Sequence, residues 1–262
     1  MKYILLTLLF ISHAKAFTLN NNFGASFDND RVKVRVAGDT TCARAGLTVY
    51  ELDDLIEEAI EKFWNRIPTS SLRLIRGDFT EVINNINDGK LCGPTDDACI
   101  SGSSGNVIPP VNDIVIACNT LPANFGQNNV LAVTIPNNFA GRRIKGAVIL
   151  INEISNSFGA LSREDKIGVI AHEIGHAIGL GHTEDKSALM YYRTVDLRRA
   201  LGQDDIDGVS YLYPVKFDGC GAMGRIDDGQ KIDPMIGQMI IGFLFMLMLG
   251  KLFNRSERRP TT

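Results

Sequence analysis

The sequence predicts an α+β domain. Apolar and β-branched residues fall in short blocks of strand length, two longer stretches repeat apolar residues at helical spacing, and each of those stretches opens on a hydroxyl residue placed to cap a helix. At 262 residues, 45% of them hydrophobic, the chain can bury one good core, and no internal repeat is visible. A net charge of −3 gives no reason to expect a nucleic-acid partner.

The elements follow in order. Val32 to Val36 alternates apolar and basic residues, as a half-buried strand does. Thr48 and Glu51 have the spacing of a capping box, and Leu52, Leu55, Ile56, Ala59, Ile60 and Phe63 then recur at helical spacing as far as Trp64. Leu72 to Ile75 is a second strand. Asp113 to Cys118 and Val130 to Ile135, followed by Pro136, are two more, and Ala147 to Ile151 is the fifth. Ser162 caps the next helix, with Asp165 three residues on, and Ile167, Ile170, Ala171, Ile174 and Ile178 pack it down.

The most informative stretch ends that helix. His172, Glu173, His176, Gly179 and His182 stand in one unbroken string, HEIGHAIGLGH, which holds three of the four histidines of the chain. His172 and His176, four apart, share one helix face and can grip one ion together. Glu173 lies about 100° round the helix from His172, where it can take a proton from a water at the metal without ligating the ion. Gly179 lacks a Cβ, so the helix can end there in a left-handed turn that returns His182 as a third ligand. Three protein ligands and an open fourth position are what a catalytic zinc site requires.

This string resembles the signature of the metzincin metalloproteases. Ser187-Ala188-Leu189-Met190-Tyr191-Tyr192, eight residues past His182, resembles the methionine turn of the matrixin branch, with Met190 beneath the metal. Gly202 to Val209 and Tyr211-Leu212-Tyr213 resemble the closing helix of matrixin domains. The resemblance implies a metzincin (zincin) fold: a twisted, five-stranded, mostly parallel sheet with an antiparallel edge strand, and three helices. Leu131-Ala132-Val133-Thr134 resembles the edge strand on which matrixins lay an extended substrate, so Leu131 and Ala132 are expected to hold peptide backbone. The S1′ pocket is expected between the zinc helix and a wall from Tyr191 to Leu201. Tyr192 stands where astacin-like and serralysin-like relatives carry a tyrosine whose hydroxyl serves the oxyanion; packing along the pocket wall is the competing reading.

The chain also departs from the family. Val133 and Val148 stand where matrixins place histidines of a structural zinc, so one catalytic zinc is expected and no second. Leu150, Ile151 and Asn152 precede Glu153 where the family closes a calcium loop with acidic residues, which leaves calcium without support. Between the expected leader cleavage and the first strand there is too little chain for a matrixin propeptide, and Leu91-Cys92-Gly93-Pro94, which faintly resembles its cysteine switch, lies inside the domain.

The ends read as addresses. Residues 1–16 have the basic start, short apolar run and Ala14-Lys15-Ala16 site of a secretory signal peptide, with cleavage before Phe17. The peptidase domain is assigned to 17–214, a polar spacer to 215–234, a transmembrane helix to 235–253 and a basic cytoplasmic tail to 254–262. A plain single-pass anchor and a bacterial C-terminal sorting tail both fit the segment after Cys220, the latter leading to the cell surface. The absence of an Asn-x-Ser/Thr sequon from 17–214 favours a bacterial source. Export favours disulfides: Cys92 with Cys99 and Cys42 with Cys118 is the expected pairing among the three connectivities four cysteines allow.

These readings point to a monomeric, membrane-anchored zinc endopeptidase that cleaves extended polypeptides outside the cytoplasm through a water activated by the ion. The alternative is a catalytically inactive surface module that binds peptides on the same fold.

Overall fold

The computed structural model describes residues 17–20, 24–93, 96, 105–126, 129–193 and 199–215. The signal peptide at 1–16, the spacer beyond Val215, the transmembrane helix at 235–253, the basic tail and Cys99 lie outside these residues. Among the described residues no helix is long and apolar enough to cross a membrane.

Among the described residues, six strands and three α-helices follow one another as β1 Ser26–Phe27, β2 Arg31–Val36, α1 Val49–Lys62, β3 Arg73–Arg76, β4 Asp113–Asn119, β5 Ala132–Ala140, β6 Arg143–Asn152, α2 Arg163–Ala177 and α3 Gln203–Leu212. The sheet runs β1-β6-β4-β2-β3 with every neighbour parallel, and β5 pairs antiparallel with β6. The α+β class, mostly parallel sheet and antiparallel edge are as expected. The sixth strand, β1, was not, because two residues carry no readable alternation. Ser26 and Phe27 reach strand geometry by pairing with Arg143 and Ile144 at the start of β6.

Local chemistry explains the boundaries. Thr48 accepts from the Glu51 N–H while the Glu51 carboxylate accepts from the Thr48 N–H at 2.8 Å, the reciprocal capping box the spacing predicts. The helix stops at Lys62, two residues early, and the Trp64–Arg66 turn tightens to 3₁₀. That places the Trp64 indole N–H 2.9 Å from the Ala171 carbonyl, tying α1 to α2. Ser162 caps α2 by accepting from the Asp165 N–H.

Strand β5 does not end at Ile135 as expected but runs on through Pro136 to Ala140. The Leu131 carbonyl accepts from the Asn152 N–H at 2.9 Å. Ladder bonds alternate in an antiparallel pair, so the backbone groups of Ala132, Thr134 and Pro136 point away from β6, and the N–H that proline lacks is not missed.

Two apolar layers flank the sheet. One face packs with α1, α2 and α3 through Val34, Val36, Leu55, Ile56, Ile149 and Ile174; the other packs Val115, Ala117, Val148 and Leu150 against Ile86, Leu91, Ile108 and Phe125. Burial on both faces is why β4 and β6 read as continuous apolar runs.

Cys42 and Cys118 form the expected disulfide, linking the loop before α1 to the end of β4 across 76 residues of chain. Cys92 is also disulfide-bonded. Replacing Cys42 and Cys118 together with alanine should lower stability by about 2–4 kcal/mol, read as a fall in the urea midpoint; an unchanged midpoint would contradict a constraining role for this bridge.

Candidate metal centre

The site is assembled by α2 and by the chain that folds back beneath it. His172 is buried near the middle of the helix, His176 stands one turn on and half-buried, and His182 is exposed at the rim. Gly179 makes the return with φ +113°, and a Cβ there would meet the Ala25 carbonyl oxygen at 2.5 Å. One ring nitrogen from each histidine lies within 4.8 Å of the other two.

The other ring nitrogen fixes the tautomer of two of them. His172 Nδ1 lies 2.8 Å from the Leu189 carbonyl oxygen, and His176 Nδ1 lies 2.8 Å from that of Leu180. A carbonyl only accepts, so both Nδ1 atoms carry the proton and both Nε2 atoms present a lone pair to the site. His176 Nε2 and His182 Nε2 are 3.1 Å apart. Two nitrogens each ~2.05 Å from a tetrahedral ion stand roughly 3.3 Å apart, so the donor set fits one zinc. Glu173, buried beside His172, receives the Thr134 hydroxyl at 2.6 Å on its Oε2.

The loop below is closed by its own bonds. The Thr183 N–H donates to the Met190 carbonyl at 3.0 Å, and Thr183 bridges Tyr191. Met190 is buried under α2, where a Cβ on residue 175 would lie 2.3 Å from its sulfur and 2.9 Å from the Trp64 ring. Gly175 is therefore the position that lets the methionine floor approach the helix.

With this geometry in place, the comparisons with known proteins show what the domain resembles. The pattern of the matrixin family matches residues 123–214, about a third of the chain, running from just before β5 to the end of α3. The domain is matrixin-like. Matrix metalloproteinase-27 of Tupaia belangeri is 50% identical over 48 residues, which cover 17% of this chain and 9% of the relative. Matrix metalloproteinase-18 of Xenopus laevis is 39% identical over 83 residues, 28% of this chain and 18% of the relative. Metalloendoproteinase 1 of Glycine max is 47% identical over 53 residues, 20% and 17% respectively. The chain spans less than a fifth of the length of these relatives. An amphibian, a mammal and a plant give no support to the expected bacterial source.

The matrixin-like domain gathers the residues singled out in the sequence with varying closeness. His172, His176, His182, Glu173, Gly179 and Met190 converge as described. Ala132 offers backbone to the open side of β5, whereas the Leu131 carbonyl is already bonded to β6. Tyr192 stands at the rim with its ring centroid 6.2 Å from that of His182 and the Arg193 guanidinium over its face. Glu153, the acid left in the calcium segment, accepts the backbone N–H groups of Arg44 and Ala45 instead. His172, His176 and His182 are the one cluster among the described residues able to hold a metal ion.

Three contributors were missed as site residues: Thr134, Gly175 and Asp205. Asp205, on α3, accepts the N–H groups of Leu189 at 2.6 Å, Met190 at 3.1 Å and Gly202 at 2.8 Å. A buried carboxylate facing the methionine turn could have been suspected only from its offset inside the matrixin-like helix. Residues 17–20 also lie against the metal loop, with Leu19 bridging Leu180 and the Thr18 hydroxyl on the His182 carbonyl.

Burial raises the Asp205 carboxyl from 3.8 to about 6; the N–H groups of Gly202, Leu189 and Met190 pull it down, and the neighbouring charge of Asp204 adds to the rise. A folded pKa above the unfolded value means the folded chain holds the proton more tightly. The resulting stabilisation is complete below about pH 4 and is lost as pH rises through about 6. The urea-midpoint advantage of the wild type over Asp205→Asn should therefore be larger at pH 4 than at pH 7. An advantage that grows with pH would contradict the assignment.

Proposed function

We propose that this matrixin-like domain is a zinc-dependent endopeptidase acting on extended polypeptides outside the cytoplasm. The observation that carries the reading is the convergence of His172, His176 and His182, two with Nδ1 committed to backbone carbonyls, beside the buried carboxylate of Glu173. His172, His176 and His182 would hold the ion through neutral nitrogens. Zinc bound there supplies Lewis acidity, which polarises a carbonyl and makes water acidic enough to act near neutral pH.

The chain's own residues account for the rest. Strand β5 pairs only with β6 among the described strands, so its outer backbone groups at Ala132 and Thr134 are free to take an extended peptide as a further strand. A peptide held there runs past the imidazoles and Glu173. A carboxylate oxygen of Glu173 takes the proton of the attacking water as its oxygen adds to the scissile carbonyl carbon, then delivers it to the amine nitrogen as the C–N bond breaks. The Tyr192 phenol at the rim is the side-chain candidate for a donor to the developing oxyanion.

Casein or peptide-library digestion by the zinc-loaded protein, with and without a chelator, tests the function. Cleavage abolished by the chelator and restored by zinc is expected; binding without cleavage assigns a peptide-binding module instead. Glu173→Ala should keep one zinc per chain and lose at least about a thousandfold in kcat, whereas His176→Ala should lose the metal. A Glu173→Ala protein retaining a tenth of normal turnover would contradict the base. Tyr192→Phe should lower kcat about tenfold with KM little changed; unchanged kinetics would leave the ring as packing.

Export and anchoring rest on the sequence. A leader at 1–16 and an apolar stretch at 235–253 with a basic flank would orient the domain away from the cytoplasm. In a bacterial host, protease added outside the inner membrane should reach the region from 17 to 233 and spare a tag after Thr262. Protein that stays soluble once membranes are removed would contradict the anchor.

A further inference from the structure

The base proposed above is held by a residue of the neighbouring strand. Thr134 stands on β5 opposite Ile149 of β6, and its Oγ1 lies 2.6 Å from Glu173 Oε2 and 3.2 Å from the Glu173 carbonyl oxygen. A hydroxyl has one proton to give. The 2.6 Å separation is that of a charge-assisted O–H···O⁻ bond, so the carboxylate takes it.

The strand supplies the rigidity. Val133 and Ile135 pack into the layer on the far face, while Ala132 belongs to the layer shared with the helices, so alternation turns Thr134 toward α2. Thr134 is β-branched and stiff at χ1, and its backbone is fixed by the β6 ladder. Glu173, by contrast, has three side-chain torsions between its helix and its carboxylate. A base must meet its proton in hydrogen-bond geometry, and misplacement by about an ångström costs roughly a hundredfold.

We propose that Thr134 is a positioning residue that fixes the aim of the Glu173 carboxylate at the metal centre. The proposal rests on the zinc endopeptidase reading. The same strand then serves twice, offering backbone to the substrate and a hydroxyl to the base.

Thr134→Val keeps the shape and branching of the side chain and removes only the hydroxyl; Thr134→Ser keeps the hydroxyl. In the zinc-loaded full chain, Thr134→Val should lower kcat about 5–30-fold with KM changed less than about twofold, and Thr134→Ser should recover to within about threefold of wild type. Zinc content and Tm should match wild type in both. Crystal structures of the zinc-loaded wild type and Thr134→Val protein read the placement without turnover: one Glu173 rotamer in the former, a shifted or divided carboxylate in the latter. An identical single rotamer in Thr134→Val, or a serine variant as impaired as the valine one, would overturn the proposal. A wild type that binds zinc but cleaves no peptide would instead sink the peptidase reading, and the crystallographic comparison would still decide the role of Thr134.

Discussion

The backbone of Leu189 joins the two halves of the site. Its N–H donates to the buried carboxylate of Asp205, and its carbonyl accepts from Nδ1 of His172. The first bond holds the methionine turn against α3; the second selects the tautomer that leaves the His172 Nε2 lone pair facing His176 and His182. Leu180 does the same for His176 from the other side of the return loop. A metal site of this kind needs its imidazoles neutral, oriented and close together before the ion arrives, and backbone carbonyls on a braced loop meet all three needs. The third helix belongs to the metal centre in this sense although none of its residues reaches the metal cluster. Asp205, Gly202 and the turn they anchor are the support on which His172 is aimed.

The sheet sets the opposite wall. β4 and β6 are buried on both faces and form a stiff floor, while β5 hangs on β6 by one edge and pairs with no other described strand along its outer edge. Proline at position 136 is tolerated because that edge needs no ladder donor, and its presence blunts part of an edge that would otherwise invite pairing with another chain. The open backbone groups are thereby concentrated at Ala132 and Thr134, next to Glu173. Backbone that can bind a strand and a carboxylate that can move a proton meet at one point in the fold.

Much of this was legible in the sequence because the signals were local. The HEIGHAIGLGH string carries its ligand geometry within eleven residues, the caps at Thr48 and Ser162 mark helix starts with partners three residues on, and β4 and β6 announce double burial by unbroken apolar runs. What escaped depends on contacts distant in sequence. Thr134 is one more β-branched strand residue until α2, thirty-nine positions on, is placed beside it. Gly175 is an ordinary mid-helix glycine until Met190 and Trp64 are found beneath it. The two residues of β1 have no pattern of their own, and Pro136 reads as a strand end until its free edge is known. Cys42 with Cys118 sits between these cases, since the count of cysteines limited the choices and only the fold brought that pair together.

The central claim is that three imidazole nitrogens, two of them presented by tautomers that backbone carbonyls fix, hold a single zinc. X-ray absorption at the zinc edge of the purified, metal-loaded protein, combined with elemental analysis, tests it most directly. The account predicts one zinc per chain with three nitrogen neighbours and one oxygen at about 2.0–2.1 Å and no sulfur. Two tightly bound zinc ions, or sulfur at about 2.3 Å in the coordination sphere, would contradict it.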